Sequence, residues 1–184
     1  MSNLTGIYAR LVSARSEAWW ALPLRLIVGF GFMEHGYAKL ARGIDSFIGI
    51  LQALHMPAAP FLAWATVLTE LIGGFCVLAG AFIPLVSLPM AAVLIVAIVT
   101  VHLPNGFSSI KLEAITPAGP QFGQPGYETD LLYLAGLAAL AIGGPGPFAL
   151  DAVFLRPRRY AAESRRDRED PSRSRAVRIA GPWG

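Results

Sequence analysis

Six ionisable side chains stand inside or at the edges of apolar runs: Arg25, Glu34, His35, Lys39, Glu70 and His102. Glu70 lies midway through 61–80, a stretch otherwise free of charge and long enough to cross a bilayer. A charge at that depth is costly and marks a functional position by default. The types present suit proton exchange and hydrogen bonding. Two carboxyls and two imidazoles can take or give protons, and two cations can hold a carboxylate or polarise a carbonyl oxygen. Asn105 and Glu128, at the edges of later apolar runs, add a donor and a further carboxylate. Three histidines without a ligand spacing do not make a metal site.

Four apolar segments must position these groups. The first covers about 19–40 and opens on Trp19 and Trp20, a fitting interfacial anchor. The second is 61–80, after a loop with Pro57 and Pro60. The third, 82–103, carries no charge before His102, and Pro89 is expected to kink it. Segments two and three are joined by so few residues that they must form a tight antiparallel hairpin. A polar loop of 104–127 follows, and segment four runs from about Tyr127 to Ile142, where Gly143-Gly144-Pro145-Gly146-Pro147 ends it. Sixteen helical residues give about 24 Å, short for a span. The chain is therefore expected to be all-α, an integral membrane four-helix bundle.

Helical phase selects the inward faces. Arg25, Gly29, Phe32, Gly36 and Lys39 form one stripe, with His35 beside it and Glu34 nearly opposite. Thr66, Glu70, Gly73, Gly74 and Val77 share the facing stripe. Glycines there permit close helix approach. Arg25 and Glu70 are read as an ion pair, structural or functional. Lys39 either snorkels to the headgroups or contacts a ligand.

The 184 residues suit one domain, with 54% hydrophobic and 15% charged, against about 25% charged in soluble domains. Nine of fifteen basic residues are arginines from Arg156 onward, so the basic pI belongs to a tail. Nothing interleaves aromatics with cations as a nucleic-acid surface does. Cys76 is the only cysteine, which excludes an internal disulfide or CxxC pair. Three regions result: 1–18, an interfacial amphipathic segment; 19–155, the four-helix membrane domain; and 156–184, a disordered arginine-rich tail. The basic ends place both termini in the cytoplasm. The loops at 41–60 and 104–127 then lie outside, and polar groups of all four segments converge in the outer half of the bilayer.

The order of these residues resembles the DoxX family of small bacterial membrane proteins. The matching stretches are Arg25-Leu26 through Gly29, His35-Gly36-Tyr37-Ala38-Lys39-Leu40, Glu70-Leu71-Ile72-Gly73-Gly74, Leu78-Ala79-Gly80, His102-Leu103-Pro104-Asn105-Gly106-Phe107, Tyr127-Glu128, and Gly144-Pro145-Gly146 with Asp151. The resemblance spans about 20–153 and implies a multi-pass protein of the bacterial inner membrane. Its polar positions fall on Arg25, His35, Lys39, Glu70, His102, Asn105 and Glu128. Relatives are linked to quinone reduction and to redox maturation of partner proteins, while most have no assigned activity.

Three functions compete. A redox-linked membrane subunit would hold quinone in an apolar slot, with a histidine donating to its oxygen, Glu70 relaying protons and a partner oxidoreductase supplying electrons. A non-enzymatic scaffold would use the polar core to hold the bundle and its loops or tail to recruit proteins. A small transporter would need a homo-oligomer and a continuous pathway, against which stands a cytoplasmic half with Arg25 as its sole ionisable lining residue.

Overall fold

The computed structural model describes residues 19–151; the expected interfacial segment at 1–18 and the tail at 156–184 lie outside them. The order is α1 (Ala21–Ala41), α2 (Ile44–Ala53), α3 (Ala59–Ala79), α4 (Ile83–Ala97), β1 (Leu112–Thr116), β2 (Gly119–Phe122) and α5 (Glu128–Gly143). Beyond α4 the chain continues as a π-turn, Ile98–His102, and a 3-10 turn, Leu103–Asn105.

Two helical stretches, Ala59–Ala79 and Ile83–Asn105, are long and apolar enough to cross a bilayer. Helix α1 is as long as α3 but carries Arg25, Glu34 and Lys39, and α5 has only 16 residues. Apart from Glu34 on α1, the outward faces of all four are nonetheless apolar. Ile27 and Phe30 on α1, Ile72 and Phe75 on α3, Leu88 and Ile95 on α4, and Leu132 and Ile142 on α5 are all more than half exposed. Water would penalise so much continuous apolar surface, whereas lipid does not.

The stripes meet as their phase requires. The buried face of α1 is Ala21, Arg25, Val28, Gly29, Phe32 and Gly36, and that of α3 includes Val67, Glu70, Gly73, Gly74 and Val77. The two backbones touch at Gly29 and Gly74. A Cβ on Gly29 would stand 2.8 Å from Gly74 O, and one on Gly74 would stand 2.7 Å from Gly29 O. Helix α3 also packs on α4, α4 on α5, and α5 on α1. Their core holds Val28, Phe32, Val77, Met90, Leu94, Leu137 and Leu140.

The α3–α4 hairpin is as tight as its short link demands. Gly80 takes φ +71° to end α3, and Phe82 takes φ +52° to begin α4. The Phe82 N–H donates to Asp151 Oδ2 at 2.8 Å, and the Asp151 N–H donates to Gly80 O at 3.2 Å. Residue 151 thus clasps the turn. Pro89 sits inside α4, and two residues earlier Ser87 Oγ donates to Ile83 O at 2.7 Å.

Both loops hold regular structure that the sequence reading lacked. The first carries α2, whose Ile44, Phe47, Ile48 and Leu51 pack towards Ala59, Leu62 and Ala63 of α3. The second carries the antiparallel pair β1–β2, with Thr116 opposite Gly119 at its tip.

Candidate functional site

Arg25 is the first correction. It makes no pair with Glu70. Its guanidinium is buried and bonds only backbone oxygens: Nε donates to Val77 O (3.2 Å), Nη2 to Leu78 O (2.7 Å), and Nη1 to Pro145 O (3.1 Å) and Pro147 O (2.9 Å). The first two are carbonyls in the last turn of α3, where the helix end carries partial negative charge; Val77 O also accepts from the Gly80 N–H at 3.1 Å. The reason is level, not phase. In the antiparallel α1–α3 pair, the start of α1 faces the end of α3, about two turns from Glu70.

Glu70 is paired with Lys39. The Nζ lies 2.7 Å from both Oε1 and Oε2. Side chains on a helix lean towards its N-terminus, so Lys39 reaches back along α1 to the level of Glu70. This overturns the snorkelling reading: the ammonium turns inward, under the Phe47 ring of α2, at 5.3 Å from its centroid. Glu34 is exposed, on the opposite side of α1, as its phase required.

Beside this pair lies a chamber of about 250 Å³ walled by His35, Lys39, Glu70, His102, Asp130 and Tyr133, with Phe32, Leu94 and Ala97 as apolar lining. His102 Nε2 is 3.9 Å from Asp130 Oδ2. The His35 ring packs edge-on against Tyr133, centroids 6.2 Å apart, and Phe32 does the same at 5.5 Å. A larger cavity of about 640 Å³ shares His35, Lys39, Glu70 and His102 and runs between α2, α3 and α4. That volume falls within the range of about 300–1,000 Å³ common for small-molecule sites. Its walls are largely apolar (Phe47, Ile50, Leu54, Leu62, Val93, Val96), with Arg42, Ser46, Thr66, Thr69 and Thr100 as further polar points.

The structure therefore brings together His35, Lys39, Glu70 and His102, and sets three other expected residues elsewhere. Arg25 is at the opposite end. Asn105 caps a turn, its Nδ2 donating to Val101 O (3.2 Å) and Pro125 O (3.3 Å). Glu128 Oε2 accepts from the Ser109 N–H at 3.0 Å, fixing the long loop to the start of α5. Two chamber residues escaped the candidate set, Asp130 and Tyr133. Their signal was available, because they fall on the same face of α5 as buried Leu137 and Leu140. Among the described residues no buried side-chain polar atom lacks a hydrogen-bond partner.

A lipid-facing exterior around an interior polar chamber defines a helical membrane protein with a small-molecule-sized recess. Comparison with known proteins makes this specific: the chain belongs to the DoxX family, whose model matches residues 20–103. The uncharacterized membrane protein Rv3486 of Mycobacterium tuberculosis is 30% identical over 135 residues, covering 70% of this chain and 77% of that protein. A Bacillus subtilis protein named "Putative oxidoreductase CatD" is 36% identical over 86 residues, covering 47% of this chain and 62% of CatD, so under two thirds of that relative is matched. No solved structure matches the chain significantly.

Proposed function

We propose that this DoxX-family protein is a redox-linked subunit of the bacterial inner membrane that binds quinone and passes reducing equivalents between it and a partner oxidoreductase. The observation that carries the reading is a pair of neighbouring recesses with shared walls: a largely apolar cavity of about 640 Å³ and a chamber of about 250 Å³, both lined by His35, Lys39, Glu70 and His102. A quinone needs an apolar slot for ring and tail, and hydrogen-bond partners for its oxygens. The imidazoles and the Lys39 ammonium are such donors, and Glu70 is placed to exchange protons. A single cysteine gives the chain no dithiol of its own, so electrons come from a partner. The name of CatD, an oxidoreductase by attribution, supports the same direction.

The proposal includes four transmembrane segments, α1, α3, α4 and α5, with both chain ends on the cytoplasmic side. Arg25 supports it, because one side chain ties the start of α1 to the end of α3 and to the turn after α5. Trp19 and Phe148 add a ring contact at the same end, centroids 5.8 Å apart. Loops 42–58 and 106–127 then fall at the other end, outside the cell, near the chamber.

Titration of the purified protein with ubiquinone and menaquinone analogues tests the function. Saturable binding that is weakened by Glu70→Ala and His35→Ala is expected. Absence of binding by the wild type, or indifference to both substitutions in folded protein, rejects it and leaves a scaffold as the better account.

A further inference from the structure

A hydroxyl in an apolar helix ordinarily turns back to the carbonyl four residues earlier. Three in this chain do so: Ser46 Oγ donates to Arg42 O, Ser87 Oγ to Ile83 O and Thr100 Oγ1 to Val96 O. Ser108, Ser109, Thr116 and Thr129 find partners within and around the long loop. Thr66 and Thr69 are the exceptions. Among the described residues they are the serines or threonines whose hydroxyls make no hydrogen bond, although Leu62 and Ala65 stand four residues before them on α3. Neither hydroxyl is sealed in the core, because no buried side-chain polar atom among the described residues lacks a partner. Both residues line the 640 Å³ cavity. Their hydrogen-bonding capacity is therefore open to whatever occupies it.

Their position on α3 gives that capacity a use. Thr66 precedes Glu70 by four residues, about 6 Å along the axis and on the same face. Thr69 follows Thr66 at i+3, so the two are neighbours on the helix surface. A carbonyl oxygen has two lone pairs and can accept from both hydroxyls. One turn further along, Lys39 and the histidines offer donors to a second oxygen. One helical turn is about the span of a six-membered ring with an oxygen at each end.

We propose that Thr66 and Thr69 are the second hydrogen-bonding point of the cavity, and that with the Lys39 end they select a ring carrying oxygens at opposite positions, a 1,4-quinone. The assignment rests on the quinone reading and adds which residues hold the far carbonyl. A ring with one oxygen leaves one set of donors unpaired among apolar walls, which costs affinity.

Thr66→Val and Thr69→Val remove the hydroxyls with little change of shape. Each should weaken binding of decylubiquinone about three- to tenfold, the worth of one neutral hydrogen bond. The melting temperature in detergent should hold or rise, because no partner within the protein is lost. Thr66→Ser and Thr69→Ser keep a hydroxyl and should bind nearly as the wild type does. Infrared spectra of decylubiquinone labelled with carbon-13 at C1 or at C4 supply a second readout. In the wild type both carbonyl stretches should fall below those of the free ligand. In the double valine variant one should return towards the free value while the other stays low. Wild-type affinity in the double variant, both shifts unchanged, or both lost together overturns the assignment while quinone binding stands. A melting temperature that falls with affinity makes the threonines structural and overturns it as well. Absence of binding by the wild type rejects the quinone reading and the assignment with it. Should the double variant not fold, the single variants carry the same two readouts.

Discussion

Lys39 of α1 holds both carboxylate oxygens of Glu70 of α3 at 2.7 Å, and this bridge is the one strong charge pair at the chamber wall among the described residues. The partners differ in setting. The Glu70 side chain is 6% exposed, whereas that of Lys39 keeps 23%. Removing the cation thus strands a buried carboxylate, while removing the carboxylate leaves a lysine with a route outward. Lys39→Met should cost about 3 kcal/mol, the lower end of the range for breaking a buried pair. Glu70→Leu should cost less, and the double variant should recover most of the loss. Thermal unfolding in detergent measures all three. Equal costs for the two single variants would contradict the asymmetry.

Arg25 acts as a clasp for the opposite end. Its planar fork serves four carbonyl acceptors on two segments, and an ammonium cannot reproduce that spread. Arg25→Lys should therefore destabilise the protein by about 3 kcal/mol, given roughly 1.5–3 kcal/mol for each hydrogen bond to a charged group with partial compensation by water. The folded fraction should bind quinone analogues normally, because the guanidinium is remote from the chamber. Protease sensitivity should rise first at 143–151, the turn that loses its anchor.

The contrast between these two residues shows what could be read from the chain. Inward-facing stripes on α1 and α3 were legible, because a period of 3.6 residues places Arg25, Lys39 and Glu70 on buried faces whatever they touch. Their level was not. Which cation meets Glu70 depends on the register of two antiparallel helices, and that is set where Gly29 meets Gly74, a contact between residues 45 positions apart. Helix α2 is legible too: Ile44, Phe47, Ile48 and Leu51 follow the i, i+3, i+4, i+7 pattern, although the prolines that follow give the segment the composition of a loop. The π-turn that presents His102 left no mark in the sequence, since nothing in Ile98-Val99-Thr100-Val101 differs from an ordinary apolar helix.

That register makes the glycine contact a sensitive point. Gly29→Ala would place a methyl group 2.8 Å from backbone atoms of α3, which cannot yield as a flexible side chain does. The helices must separate, at a cost of about 1–3 kcal/mol. Separation also lengthens the Lys39–Glu70 bridge, so Gly29→Ala should lower stability and quinone-analogue affinity together. Gly49→Ala, inside α2, where an added Cβ meets nothing within 4 Å, is the control and should leave affinity unchanged and stability unchanged or raised.

Occupancy of the recess can be tested without touching any ionisable group. Ala97 of α4 lines both the cavity and the chamber. Phenylalanine there adds apolar volume to the wall of both recesses and leaves the bridge, both histidines and the Arg25 clasp in place. Because the site is half-buried and borders open space, the larger ring need not strain the core as it would in a closed interior. Ala97→Phe should keep the melting temperature of the wild type and reduce quinone-analogue affinity at least tenfold, about 1.4 kcal/mol. Ala97→Ser, which adds little volume, should bind as the wild type does. Full binding by a well-folded Ala97→Phe protein would mean that the ligand lies outside this recess, and the polar residues around it would then be structural.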